Sequence, residues 1–125
     1  MLKTILILLP ALIQVESGGD CNAIGDNFLA RGILQIHKAY CIDGCEELGV
    51  DWHYEGAFNG PKSACVTIAY LTRYGRRYEQ LTGKKVTLKV LAKLHNGGLN
   101  GWRENRKKAT EPHWQKVKKE LENGI

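Results

Sequence analysis

Three carboxylic acids near the start of the chain have the types and spacing that acid–base chemistry requires. Glu16 ends a long apolar run, and Asp20 and Asp26 follow it within ten positions. An acid at the end of an apolar helix is partly desolvated and lies near the negative helix pole, which predicts that Glu16 holds its proton. Asp26 has polar neighbours that favour a charged acid. Such a pair is used in glycoside hydrolysis; the alternatives are an exposed Glu16 and ordinary turn residues at the aspartates.

Three further polar residues are candidates for contact with a ligand. Gln35 lies in an otherwise apolar stretch, where a buried amide must find partners, so it is expected to bind a sugar group or to hold a loop. His95 and Asn96 precede Gly97 and Gly98, where a backbone turn would expose them. The alternative is a helix end with an incidental histidine.

The apolar run before Glu16 has two interpretations. It is similar to a secretory leader, in which case residues 1–9 are leader-like or flexible. Alternatively, it forms a short helix from about Pro10 to Ser17, which the two following glycines stop. The choice matters because the best available cleavage site, at the small residues Ser17 and Gly19, would discard Glu16.

Later patterns predict a mainly helical protein. The stretch SACVTIAYL, which begins at Ser63, is apolar on almost every side, and this is typical of a helix buried in the middle of a domain. Thr87 and Thr110 are predicted to cap two later helices, and residues 24–36 are predicted to hold at most a small hairpin. The length of 125 residues predicts one domain over 1–125.

The charge of the chain indicates an anionic partner. Eighteen Lys and Arg against thirteen Asp and Glu give a formal charge of +5, with basic runs at 84–85, 103–108 and 116–119. Long-range attraction would draw such a surface to nucleic acid, acidic lipid or a bacterial wall, whereas the alternative is a solvated face. No nucleic-acid motif accompanies the runs, and no segment has the roughly 20 apolar residues of a membrane span.

The four cysteines have two interpretations. Cys21, Cys41, Cys45 and Cys65 form either two disulfides in an oxidising compartment, in one of three pairings, or free thiols. Only the C-x3-C spacing at 41–45 approaches that of a zinc site, so no metal is expected.

Six motifs in order along the chain resemble those of a known family. They are ESGG at 16–19, NAIGDN at 22–27, GILQI at 32–36, AYCID at 39–43, CVTIAYLTRYG at 65–75 and LAKLHNGGLNG at 91–101. Together they resemble the invertebrate-type lysozymes and the related short lysozyme-like proteins of bacteria and phages. The resemblance runs from about residue 11 to 118. It implies a mainly α, lysozyme-like α+β fold with a central buried helix and a short hairpin.

The resemblance also implies roles for individual residues. Glu16 matches the general acid and Asp26 matches the second carboxylate, so the apolar run is interpreted as the first helix. The positions that match the sugar-binding cleft are Gln35, Tyr40, Tyr70, His95 and Asn96. Cys45 with Cys65 is the preferred disulfide, with Cys21 and Cys41 as the other candidates. The chain departs from the family pattern in having fewer cysteines and a shorter spacing between its two acids.

The expected function is that of a secreted or otherwise extracytoplasmic, bacteriolytic lysozyme. It would cleave β-1,4 bonds of peptidoglycan as a monomer, without a metal or organic cofactor. One alternative is a lytic transglycosylase, which needs Glu16 alone. Another is a non-catalytic cationic protein that binds cell walls or kills bacteria. Nucleic-acid binding through the basic runs is not expected.

Overall fold

The structure, a computed structural model, describes residues 1–124 and, at positions 56 and 58, the backbone alone. In this part of the chain the helices are α1 (Leu2–Ser17), α2 (Lys38–Leu48), α3 (Gly60–Thr82), α4 (Leu88–Gly97) and α5 (Lys107–Glu122). Strand β1 (Ile24–Gly25) pairs antiparallel with β2 (Ala30–Arg31), and short 3-10 helices lie at Tyr54–Phe58 and Glu104–Arg106. The predicted mainly α fold with one small hairpin is confirmed.

The chain divides into two compact units. The first comprises Met1–Leu12 with Leu71–Ile125, and the second comprises Ile13–Tyr70, so the division falls inside α1 and inside α3. The single domain over 1–125 stays a prediction. Among residues 1–124, no helix combines the length and apolarity that a membrane span requires.

Helix α1 is longer than the sequence predicted. It was expected from about Pro10, but it begins at Leu2 and continues through that proline. A proline in a helix interior costs about 3 kcal/mol, because one backbone hydrogen bond is lost and the ring crowds the preceding turn. Ile5 and Leu8 are fully buried before the proline, and each such side chain contributes about 1.5–3 kcal/mol. Their burial offsets the cost of the proline, so residues 1–9 are helical apart from Met1.

The first unit contains α4 and α5, which pack against each other. Thr87 caps α4 as predicted, because its hydroxyl accepts a hydrogen bond from the Val90 N–H at 3.2 Å. The predicted cap at Thr110 is wrong, since α5 begins at Lys107. Thr110 is instead buried inside the helix, where its hydroxyl oxygen lies 3.0 Å from the Arg106 carbonyl oxygen and 3.2 Å from that of Gly101.

The second unit contains the hairpin, α2 and the first half of α3. The predicted buried helix begins at Gly60, earlier than Ser63, and it is not buried on every side. Ser63, Val66 and Tyr70 are buried, whereas Cys65 is exposed. The helix therefore has an exposed side and is amphipathic, whereas the sequence predicts burial on almost every side.

The predicted disulfides are not formed. All four cysteines are free thiols: Cys41 and Cys45 are buried, with sulfur atoms 3.9 Å apart on successive turns of α2, and Cys21 and Cys65 are exposed. The preferred Cys45–Cys65 bond is therefore incorrect for this structure, because one thiol is buried against its helical neighbour and the other faces solvent. Burial raises the pKa of the Cys41 thiol to about 12, and the adjacent Cys45 adds to the rise. Such a thiol is a poor nucleophile.

Candidate active site

The end of α1 fixes the position of Glu16. Glu16 is half-buried on the last turn of the helix, next to Ser17. The Ser17 hydroxyl lies 2.8 Å from the Ile33 carbonyl oxygen and accepts a hydrogen bond from the Gly19 N–H at 3.1 Å. Gly18 adopts φ +63°, a left-handed conformation that ends the helix and that favours glycine. The ESGG motif therefore ends the helix and anchors its last turn to the backbone near β2.

A buried aromatic pair adjoins Glu16. The rings of Tyr40 and Tyr70 stack with centroids 3.5 Å apart and planes 13° from parallel. Burial raises the pKa of the Tyr40 hydroxyl well above its usual value. A hydrogen bond with Thr67 lowers this pKa, whereas the charges of Tyr70 and Glu16 raise it further. Tyr40 is therefore a neutral phenol at physiological pH, and the stacked pair forms a buried wall near the Glu16 carboxyl group.

Asp26 lies on a strained turn between β1 and β2. Three consecutive residues that are not glycine have left-handed backbone: Asp26 at φ 49°, Asn27 at φ 55° and Phe28 at φ 74°. The turn is closed by a hydrogen bond from the Leu29 N–H to the Asp26 carbonyl oxygen at 3.1 Å. Each such residue costs on the order of 1–3 kcal/mol, and strain of this kind concentrates at functional sites.

His37 holds the Asp26 side chain. Its Nε2 atom lies 2.9 Å from Oδ2 of Asp26, and it occupies the position just before α2. Both side chains are open to solvent, with exposed fractions of 48% for His37 and 70% for Asp26. The sequence did not predict this role for His37, because it lies eleven positions from its partner, beyond the hairpin, and no local spacing indicates the contact.

Gln35 holds the loop around the hairpin. Its side-chain N–H groups donate to the carbonyl oxygens of Ala23 and Gly32, each at 3.0 Å. Its Oε1 atom occupies the space that a Cβ at Gly25 would need, so a larger residue at that position would displace the Gln35 amide. Gln35 was predicted either to bind a sugar group or to hold a loop, and both of its side-chain N–H contacts in the structure hold a loop.

Asp20, the other candidate second carboxylate, is an ordinary turn residue. It is exposed, and its Oδ1 atom accepts a hydrogen bond from the Asn22 N–H at 2.9 Å. This contact closes the turn that follows α1.

His95 and Asn96 belong to the first unit. The turn that was expected to expose both residues exposes only Asn96, because α4 continues to Gly97. His95 is 8% exposed, and its ring centroid lies 6.5 Å from that of His113. Of the predicted site residues, the second unit thus holds Glu16 near Tyr40 and Tyr70, Asp26 on the hairpin turn, and Gln35 in the segment that follows β2.

The secondary structure indicates the class of protein, and the comparisons with known proteins bear on its family. The described chain is mainly α with one small hairpin, which is consistent with a lysozyme-like fold. No protein-family model matches it. It is 35% identical over 113 residues to Lysozyme 1 of the oyster Crassostrea virginica, and the match covers 87% of this chain. The chain spans 55% of the length of that relative. This similarity supports the assignment of the chain to the invertebrate-type lysozyme family, which the sequence motifs also indicate.

Proposed function

We propose that the chain is a lysozyme that hydrolyses the β-1,4 bonds between N-acetylmuramic acid and N-acetylglucosamine in peptidoglycan. Glu16 is the proposed general acid and Asp26 the proposed second carboxylate. The observation that carries the proposal is the fixed position of Glu16, half-buried on an anchored helix end beside the stacked Tyr40 and Tyr70. The similarity to an oyster lysozyme supports it.

In the proposed mechanism the two acids have different tasks. Glu16 gives its proton to the glycosidic oxygen as the bond breaks. Asp26, which faces solvent and His37, stabilises the oxocarbenium ion or attacks it to form a glycosyl ester. Water then completes the hydrolysis, and Glu16, now a carboxylate, takes the proton from that water. The net reaction adds one water across the bond.

The remaining predicted site residues support the acids. Tyr40 and Tyr70 are 8% and 4% exposed, so we assign them to the wall that positions Glu16. Gln35 positions the hairpin that carries Asp26, because both of its N–H contacts are made to backbone carbonyls. The sugar-binding roles of His95 and Asn96 stay predictions. The formal charge of +5 would draw the chain to anionic walls, so we propose an extracytoplasmic site of action.

The alternative within the same chemistry is a lytic transglycosylase, in which a hydroxyl of the substrate closes an anhydro ring. The observation that favours this alternative is the 70% exposure of the Asp26 side chain, because a reaction that needs Glu16 alone does not require a second acid to be sheltered beside it. The masses of fragments released from purified peptidoglycan distinguish the two reactions, since the muramic acid end left by hydrolysis is one water heavier than the anhydro end left by transglycosylation.

The test compares wild type, Asp26→Asn and the matched control Asp20→Asn. Both variants remove one negative charge from an exposed aspartate of the same unit. We expect water-added fragments from wild type and from Asp20→Asn, and a fall of about 100-fold or more in the rate for Asp26→Asn. Anhydro products would establish the transglycosylase. Full activity of Asp26→Asn with water-added products would refute the role of Asp26 as the second carboxylate, and release of no fragments by wild type would refute the proposed hydrolysis.

A further inference from the structure

Helix α1 has an outer face of four apolar residues, Leu2, Leu6, Ile7 and Pro10. The first three are 55%, 48% and 47% exposed, and Pro10 is also exposed. Residues four positions apart lie on the same side of a helix, so Leu2, Leu6 and Pro10 form a row with Ile7 beside it. Single exposed apolar residues are ordinary, but several together on one helix face mark an interaction surface.

Basic residues surround the start of this helix. A Cβ at Gly75 of α3 would lie 2.9 Å from the Met1 sulfur and 3.4 Å from Cγ1 of Val86. The start of α1, the middle of α3 and the segment before α4 therefore meet at Gly75. The exposed basic residues within two positions of this junction are Lys3, Arg76, Arg77, Lys84 and Lys85.

The acids of the first unit do not balance its positive charge. The unit carries fifteen Lys and Arg against five Glu, whereas the second unit carries three against eight Asp and Glu. Among residues 1–124, the side chains of Lys3, Arg77, Lys84 and Lys85 have no acid at ion-pair distance. A surplus of positive charge therefore lies beside the outer face of α1.

This combination selects the partner. A second copy of the chain would bring the same positive surplus to the contact, and like charges would oppose it. A hydrophilic polyanion such as a nucleic acid would pair with the lysines but would not cover the leucines. A bilayer surface that contains anionic lipid offers both negative headgroups and an apolar boundary.

We propose that the first unit binds the surface of membranes that contain anionic lipid. The outer face of α1 enters the headgroup region, and the neighbouring lysines and arginines contact the lipid phosphates. The two proposed catalytic acids take no part, because Glu16 and Asp26 belong to the second unit. Membrane binding and glycan cleavage can therefore be tested separately.

The first test measures co-sedimentation of the whole chain with lipid vesicles. We expect binding to vesicles of equal parts phosphatidylcholine and phosphatidylglycerol, little binding to phosphatidylcholine alone, and weaker binding as salt is added. Leu6→Gln should weaken binding by about 3- to 10-fold, because a half-exposed leucine loses its burial in the headgroup region. The control is Leu48→Gln, the same change at a 40% exposed leucine of the second unit, which should bind as wild type does.

The second test changes the charge and keeps the apolar face. Lys85→Gln should weaken binding by about fivefold, because a lysine near an anionic bilayer contributes about that factor. The matched control is Lys38→Gln, which removes the same charge from an exposed lysine of the second unit. We expect it to change binding by less than about twofold. Circular dichroism checks the fold of each variant.

Equal binding to the two kinds of vesicle, or binding to neither, would overturn the inference. Wild-type affinity of Leu6→Gln would mean that charge alone adsorbs the chain, as it would to any polyanion, and equal losses in a variant and its control would mean that this surface is not the one used. A wild type that dimerises without vesicles, and that Leu6→Gln makes monomeric, would assign the outer face to a second copy. Each of these results contradicts membrane binding by the first unit.

Discussion

At the scale of single residues, the two proposed acids have contrasting surroundings. Glu16 is half-buried beside the stacked rings of Tyr40 and Tyr70, and its helix end is anchored by Ser17. Asp26 projects from a strained turn into solvent and has an imidazole as its neighbour. The proposed proton donor is thus sheltered, whereas the proposed charged group faces water.

His37 is predicted to act as a positioning residue for Asp26. Replacement by alanine removes the 2.9 Å contact, so the Asp26 side chain would rotate freely on its turn. We expect kcat to fall about tenfold with KM little changed, because displacement of a catalytic group by about 1 Å can cost up to about 100-fold. The measurement is steady-state cleavage of a glycan chain from which the peptides have been removed.

The conservative variant His37→Gln is the control. A glutamine at this position retains an N–H that can donate to the Asp26 carboxylate, so we expect it to restore most of kcat. Equal losses in the alanine and glutamine variants would show that the imidazole itself is needed, and no loss in either would show that Asp26 requires no support.

At the scale of elements, an ion pair joins α4 to α5. Nζ of Lys93, whose side chain is 7% exposed, lies 2.9 Å from Oε2 of Glu111. The hydrogen bond from Lys93 is the main cause of the lowered pKa of Glu111. Burial opposes this effect, and smaller contributions from Gln115 and Lys89 add to it. Replacement of Glu111 by glutamine would leave a buried ammonium group without its counter-ion.

We therefore expect Glu111→Gln to lower the free energy of unfolding by about 1–3 kcal/mol, measured by urea denaturation at neutral pH. The matched control is Glu122→Gln, which breaks the exposed Lys118–Glu122 pair at 4.0 Å and should change stability by less than about 0.5 kcal/mol. Equal effects of the two substitutions would contradict the role of the α4–α5 pair.

The same pair predicts a pH dependence. Because the pKa of Glu111 is lower in the folded than in the unfolded chain, its charged form favours folding. This contribution is fully present above the ordinary glutamate value of 4.5 and is lost as the pH falls through the lowered value. The difference in stability between wild type and Glu111→Gln should therefore shrink on acidification below about pH 4.5.

The elements show why sequence patterns predicted some helix ends and not others. Thr87 was recognised because a cap is local: its hydroxyl contacts the backbone three residues later. Thr110 was misread because its hydroxyl contacts a carbonyl nine residues earlier, at Gly101, and such a contact depends on the folded loop. The start of α1 was misplaced because local rules stop a helix before Pro10, whereas burial of the preceding apolar residues depends on tertiary packing.

At the scale of the whole molecule, the sequence predicted which residues belong to the candidate site, and the structure adds the contacts between them. The sequence predicted Glu16 and Asp26 as the candidate acids, first from their types and surroundings and then from the motifs, and the structure adds the contacts around them. Tyr40 and Tyr70 were predicted as sugar-binding residues, but their stacking shows a buried pair, which a sequence pattern does not distinguish from an exposed one. The contact of His37 with Asp26 was not predicted, because it depends on the path of the hairpin in the folded chain.

The central claim is that Glu16 supplies the proton that breaks the glycosidic bond. The most direct measurement is the release of soluble fragments from purified peptidoglycan by wild type and by Glu16→Gln, whose fold is checked by circular dichroism. Glutamine has nearly the size of glutamic acid but cannot donate a proton as an acid does. We predict that Glu16→Gln binds the wall as wild type does and releases fragments at least about 100-fold more slowly. Release at the wild-type rate by a correctly folded Glu16→Gln chain would contradict the account.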